Sequence, residues 1–341
     1  MDNQKDKGRV LVTGGTGFLG AYIIQELILK GWTVRAIRRG ATQPAFIPEA
    51  IWAKVEWVNC DILDVIGLGE AMEGMDAVVH SAAKLSFSRA DRREMYHTNI
   101  EGTANVVNMA LEQNIRRLVH VSSVAALGRT GNGETVTEKK PWEESKWNTR
   151  YAASKFRGEI EVWRSIGEGL PAVIVNPSTI LGFGDWNHSS CTLFRSAWKE
   201  FPWYTEGVNG FVDVKDAAAA IVALLESDLV GERYILSSAN WTFRQLFETM
   251  AAGFGKKPPS REATPLLAGI AWRSESLKSL FSGKPSILTR ESARVAQSFT
   301  YFDNSKIVDA LPDFQFTPLE RTIKLACTDY LRYLDLTKQY P

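Results

Sequence analysis

Through the first half of the chain, hydrophobic positions alternate between two periods. Short, nearly unbroken apolar runs end at Val12, Ile37, Cys60, His80, Val121 and Val175; Ala77-Val78-Val79-His80 and Ala172-Val173-Ile174-Val175 are typical. Between them lie stretches with helical spacing, at 21–30, 63–72, 92–112 and 151–167. Strands apolar on both faces, each followed by a helix, predict a parallel sheet covered on both sides. The expected fold class is α/β, a Rossmann-type doubly wound parallel sheet. After Asn176-Pro177 both periods fade, and residues 183–211 are rich in aromatics and glycine. A helix is expected at 214–225 and a strand at 233–236, back in the main sheet. From 241 to 341 helical patterns are broken at Pro258-Pro259, Pro285 and Pro312. The reading is one sheet domain from 1–176 and 212–240, and a smaller, discontinuous lobe from 177–211 and 241–341.

The first apolar run leads into Thr13-Gly14-Gly15-Thr16-Gly17-Phe18-Leu19-Gly20, and a helix follows at once. Strand, glycine turn and helix are the setting a dinucleotide fingerprint requires. Gly14 permits the sharp turn, Gly17 lets the backbone approach a pyrophosphate, and Gly20 lets helix and strand pack closely. The free N–H groups from Thr16 to Leu19 then receive negative charge. The sheet domain is therefore expected to bind a dinucleotide, and the lobe to bind substrate.

Composition narrows the class. With 341 residues, 45% of them hydrophobic, the chain can bury one large core and a smaller one. A net charge of +1 gives no broad pull toward nucleic acid or membrane. Three scattered cysteines, Cys60, Cys191 and Cys327, have no metal-like spacing and read as reduced thiols. The start of the chain is polar and no apolar run reaches spanning length, so a cytoplasmic enzyme without a metal is expected.

Three further positions carry chemistry. Where the second strand ends, an acidic residue would bind the ribose of NAD; this chain has Arg38 and Arg39. Two guanidinium groups suit a 2′-phosphate and favour NADP over NAD, unless they are only solvated surface arginines. After the third strand, Asp61, followed by Ile62, reads either as an adenine contact or as a helix N-cap. Tyr151 and Lys155 lie four apart on one helix face, and among nine tyrosines only Tyr151 has a lysine at that spacing. A neighbouring ammonium is expected to lower the phenol's pKa toward the working range. Ser123 follows the fifth strand, at the edge where ligands bind, as a carbonyl contact or as a plain cap.

Together with His80-Ser81-Ala82-Ala83, Asn99 and Asn176-Pro177-Ser178, these motifs resemble the extended short-chain dehydrogenase/reductase family over nearly the whole chain. The segment Phe211-Val212-Asp213-Val214-Lys215-Asp216 fits the same pattern. Val34-Arg35-Ala36 before a basic pair is most similar to the dihydroflavonol-reductase-like branch. The resemblance implies that Tyr151 is the general acid in carbonyl reduction. Lys155 would tune Tyr151 and hold the nicotinamide ribose, Ser123 would position the carbonyl, and Asn99 would be the family's helix asparagine. Ser81, Ala82 and Ala83 would line the cofactor channel, with Asn176, Pro177 and Ser178 against the nicotinamide. The chain departs from the family pattern with Asn at 176, where Arg is common, and with Asp at 213, where His is common. Val124-Ala125 replaces the Asp-Glu pair of the sugar-nucleotide dehydratases.

The expected activity is NADP-dependent reduction of a hydrophobic ketone or aldehyde, or the reverse oxidation. The aromatics Phe183, Trp186, Phe194, Trp198, Phe201, Trp203 and Tyr204 would form either the substrate wall or the core of the lobe. A sugar-nucleotide epimerase holding NAD is the alternative, with Arg195, Lys199, Lys256, Lys257 and Arg261 available for a diphosphate. A non-catalytic NADP-binding regulator is the third reading. A small molecule is the expected partner, and the helices at 92–112 and 151–167 leave both a homodimer and a monomer open.

Overall fold

The computed structural model describes residues 7–40, 43–88, 90–129, 133–145, 147–264, 267 and 290–337. The polar start at 1–6 and the break expected at Pro285 lie outside the described residues. Five apolar runs form β1 (Arg9–Thr13), β2 (Thr33–Arg38), β3 (Glu56–Asn59), β4 (Ala77–His80) and β5 (Arg117–Val121). Later strands are β6 (Thr135–Val136), β7 (Ala172–Pro177), β8 (Thr179–Leu181), β9 (Trp203–Tyr204), β10 (Val208–Asp213), β11 (Glu232–Leu236), β12 (Ala239–Thr242), β13 (Arg261–Glu262) and β14 (Tyr301–Phe302). Seven of them make the central sheet, in the order β11-β7-β5-β4-β1-β2-β3, every pair parallel. The chain winds outward from β1 to β3, then restarts on the other side of β1 at β4. This reversal opens a crevice at the carboxyl ends of β1 and β4, the place where doubly wound sheets bind ligands.

From the first strand to Phe254 the helices are, in chain order, α1 (Phe18–Leu29), α2 (Glu49–Trp52), α3 (Val65–Met72), α4 (Arg92–Tyr96), α5 (Gly102–Glu112), α6 (Arg150–Gly167), α7 (Thr192–Trp198), α8 (Val214–Glu226) and α9 (Phe243–Phe254). Val10, Val12, Val119 and Val173 face a core closed by α1 and α8. Leu11, Val78, Leu118 and Ile174 face the opposite one, closed by α3, α5 and α6. Successive residues of one strand thus bury into different layers, which is why the runs are apolar throughout. Between α4 and α5, residues His97–Glu101 form a π-helical turn, so the expected 92–112 helix is continuous but widened there.

Strand β11 joins the main sheet beside β7. In contrast, β8, β10 and β12 form a separate three-stranded sheet, β9 pairs with β13, and β6 pairs with β14. A third core gathers Phe194, Phe211, Leu246, Phe254, Ile323 and Tyr330 from α7, β10, α9 and the helix Leu319–Thr337. None of the described helices is long and apolar enough to cross a membrane.

A buried polar chain ties the sheet to the widened helix. The Ala82 N–H donates to Thr13 Oγ1 (3.1 Å), and that hydroxyl is 2.7 Å from His80 Nδ1. On the other side of the ring, His80 Nε2 is 3.0 Å from Thr103 Oγ1, which donates to the Asn99 carbonyl (2.8 Å). These directions are mutually consistent when His80 is neutral, with its proton on Nε2. Burial, aided by the Lys155 charge, lowers the His80 pKa to about 3. His120 stacks near it, with ring centroids 5.1 Å apart and neither ring nitrogen bonded among the described residues; its pKa too is driven well down by burial.

The unfolded chain binds protons at both rings below about pH 6.5, whereas the folded chain resists them, so stability falls with pH through that region. At pH 5 the loss from His80 alone is about 2 kcal/mol. Urea unfolding at pH 7 and pH 5 checks this; equal free energies would mean the fold accommodates the charged rings.

Candidate active site

The glycine turn is built by close backbone approaches. Gly14 has φ +72°, and a Cβ there would lie 2.7 Å from the Ala82 nitrogen. A Cβ on Gly20 would lie 2.1 Å from the Gly14 carbonyl oxygen. The turn therefore sits directly against the Ser81–Ala83 loop at the sheet crevice, with α1 starting at its rim. A cleft of about 2020 Å³ opens there and extends to the lobe, well above the roughly 300–1,000 Å³ of drug-sized sites. Its walls include Gly14, Thr16, Gly17, Phe18, Leu19 and Gly20 on one side and Ser81, Ala82 and Ala83 beside them. Ser122 and Ser178 also reach the cleft, and their buried hydroxyls have no partner among the described residues. The cradle fits a dinucleotide.

At the far end of β2, the Arg38 guanidinium lies 5.3 Å from the Trp52 ring centroid and 5.6 Å from that of Trp57. The two indoles stack at 4.2 Å, so Arg38 is held by aromatic faces. Arg39 pairs loosely with Asp61 at 3.8 Å, and both line the cleft with Arg38 and Ile62. Asp61 is not the N-cap of α3; Asp64 is, accepting from the Gly67 N–H. Asp61 instead receives the Leu63 N–H at 3.0 Å.

Thr149 caps α6, accepting from the Ala152 N–H, and so places Tyr151 in the first helical turn and Lys155 one turn deeper. Ser123, just past β5, accepts the Ala125 N–H through its hydroxyl (3.2 Å), which also lies close enough to the Tyr151 phenol to lower its pKa, and all three side chains open on the cleft. The sequence suggested that the lysine would draw the phenol down; the balance is different. Burial raises Tyr151 to about 12, and the Ser123 hydroxyl is what opposes it. Lys155 donates its Nζ to the Val121 carbonyl at 2.9 Å. Burial lowers its pKa to about 8, against the charge of Glu159, which raises it. At neutral pH the phenol is protonated and the ammonium charged.

Asn99 and Asn176 lie off the cleft wall. The Asn99 amide donates to the Lys84 carbonyl (2.9 Å) and Ser154 Oγ (2.9 Å), and its oxygen accepts the Lys84 N–H (2.7 Å). It staples the π-turn to the loop after β4 and to α6. Asn176 donates to the Ser123 carbonyl (3.0 Å) and to Glu159 Oε1 (2.5 Å), whereas its neighbours Pro177 and Ser178 do reach the cleft. Glu159, fully buried, is paired by Arg233 of β11 at 3.3 Å. The sequence reading missed Glu159 and Arg233; a glutamate one turn beyond Lys155 on the same face was the available signal. Of the aromatic set, Phe201, Trp203 and Tyr204 line the cleft, Phe183 and Trp186 line it and also pack on the third core, and Phe194 and Trp198 pack in that core alone.

The family model described as the NAD dependent epimerase/dehydratase family matches residues 10–237. The chain belongs to that family. It is an NAD(P)-dependent enzyme of the extended short-chain dehydrogenase/reductase type, with reductases among its relatives. A Synechocystis sp. protein given the provisional name dihydroflavonol 4-reductase is 30% identical over 308 residues, 88% of each chain. Cinnamoyl-CoA reductase 1 of Petunia hybrida is 30% identical over 263 residues, 73% of this chain and 78% of that one. The solved structure of gox2253 superposes with a TM-score of 0.80 at 28% identity, covering 96% of this chain and 99% of that one.

In such an enzyme the pH profile of kcat/KM should bend downward as pH rises through about 8, where Lys155 loses its proton. Glu159→Gln removes the charge that holds this proton, so its bend should appear at lower pH. Profiles of the two proteins that superimpose would refute the coupling.

Proposed function

We propose that this enzyme uses NADP(H) to reduce a ketone or aldehyde, with Tyr151 as the proton donor. The observation that carries this reading is a protonated phenol, beside Ser123 and open to the cleft, one helical turn above a buried ammonium. Bound in the cradle, the nicotinamide cofactor supplies the hydride. Ser123 holds the substrate carbonyl beside the phenol, and Tyr151 delivers its proton as negative charge grows on the oxygen. Lys155 stabilises the phenolate left behind, and the positive start of α6 acts in the same direction. A phenol raised to about 12 is present in its protonated form at neutral pH, the form that reduction requires.

The preference for NADP rests on Arg38 and Arg39 at the end of β2, which suit a 2′-phosphate. The sugar-nucleotide reading has less support, because none of Arg195, Lys199, Lys256, Lys257 and Arg261 lines the cleft.

Loss of NADPH absorbance with a panel of hydrophobic ketones and aldehydes tests the reading. Tyr151→Phe should lower turnover by roughly 100-fold or more while NADPH still binds. A wild-type chain that binds NADPH but turns over none of the panel would count against the reductase and for a regulator. In the same assay Arg38→Ala should raise KM for NADPH by roughly tenfold or more and leave that for NADH nearly unchanged. Equal effects on the two cofactors would remove the NADP assignment.

A further inference from the structure

Each carboxylate on the described cleft wall already has a partner: Asp61 has Arg39, Glu94 has Lys84, and Asp185 has the His188 ring. Lys155, also on that wall, is taken up by the Val121 carbonyl, whereas Arg129 has no carboxylate partner among the described residues. Arg129 follows the short 3-10 turn Val124–Leu127 that Ser123 opens, so it stands six residues beyond the carbonyl-positioning serine. Its Nη1 donates to Ser298 Oγ (3.1 Å) and Thr300 Oγ1 (3.3 Å), and its Nη2 to Asn209 Oδ1 (3.5 Å). These are neutral oxygens at hydrogen-bond distances from ordinary to long, and no described carboxylate lies within ion-pair reach. The fork is thus fixed in direction by Ser298, Thr300 and Asn209, while its Nε–H and second Nη2–H donate to no described residue. Burial lowers the guanidinium to about 10, with no neighbouring charge to offset it. A partly buried guanidinium without a counter-ion is costly unless an anion arrives.

We infer that Arg129 docks an anionic oxygen group of the substrate, the chemistry that a carboxylate and a phosphate share, on the part of the cleft wall it shares with Asn209. The free edge of the guanidinium offers two parallel donors, the geometry such groups accept bidentately. The substrate would then be held at two points, its carbonyl at Ser123 and Tyr151 and its anion at Arg129. This inference rests on the reductase reading for the first point only.

The test compares carboxylates with their neutral counterparts. NADPH oxidation is followed with benzoylformate, 4-oxo-4-phenylbutanoate and 4-acetylbenzoate, each beside its methyl ester, so that the anion sits at different distances from the carbonyl. At least one acid should exceed its ester in kcat/KM by roughly tenfold or more. Arg129→Gln and Arg129→Lys should erase that advantage and leave the ester rate in place, which also shows that the variants fold. A second arm needs no turnover: calorimetric titration of the NADP+-loaded protein with the same acids and esters, and with UDP beside uridine. Binding of an acid that depends on Arg129 assigns a carboxylate, and binding of UDP alone that depends on it assigns a phosphate; either supports the inference. Acid binding through Arg129 with no reduction of any carbonyl would sustain the inference and sink the reductase reading. Ester turnover with no preference for any anion would sustain the reductase and overturn the inference. Loss of ester turnover in both variants would also overturn it, making Arg129 a strut between the sheet domain and the lobe.

Discussion

Backbone packed on backbone at the first turn is the constraint on which the rest of the site depends. Gly14 touches the Ala82 backbone, and Gly20 touches Gly14, with no room for a methyl group at either contact. Because of that approach, the start of α1 and the loop after β4 share one crevice instead of facing each other across a gap. Thr13 then locks the arrangement with one hydroxyl, serving Ala82 on one side and His80 on the other. A larger residue in the turn would separate the two loops, and every distance across the cleft would change with them.

The active helix depends on a second, charged arrangement. Glu159 lies one turn below Lys155 and divides its two oxygens between Asn176 and Arg233. One carboxylate therefore influences the proton on Lys155, holds the amide that supports the Ser123 carbonyl, and ties β11 to α6. Asn at 176 becomes intelligible in this setting. In place of the arginine that the family resemblance leads one to expect there, the cation comes from the adjacent strand, and the shorter amide bridges the carboxylate to the loop. A buried ion pair of this kind is weak as a source of stability, but removing one partner leaves a buried charge exposed to no solvent. Its value lies in direction.

Much of this was legible in the chain because it is written in short-range patterns. The glycine spacing, the doubly apolar strands and the four-residue step from Tyr151 to Lys155 each concern neighbours within a turn or a strand. The π-turn at 97–101 was not legible, since one widened turn barely perturbs a helical period. Nor was the phenol's acidity: spacing puts Lys155 next to Tyr151, but burial and the Val121 carbonyl decide what the ammonium does. Position 99 shows the same limit, because a matching asparagine does not reveal that its amide faces Lys84 and Ser154 and not the cleft. Glu159 and Arg233 are 74 residues apart, and only the fold brings them together.

That separation has a consequence for how the enzyme comes into being. A ribosome has already released β1 through β7, the glycine turn and the whole of α6 before Arg233 is made. Until β11 docks, β7 is the open edge of the sheet and the Glu159 carboxylate lacks its Arg233 partner. The nascent chain can therefore shape its nucleotide cradle early, while the helix that carries Tyr151 and Lys155 receives its last support only when β11 joins the sheet. Assembly order thus separates the forming of the cradle from the bracing of the helix beside it.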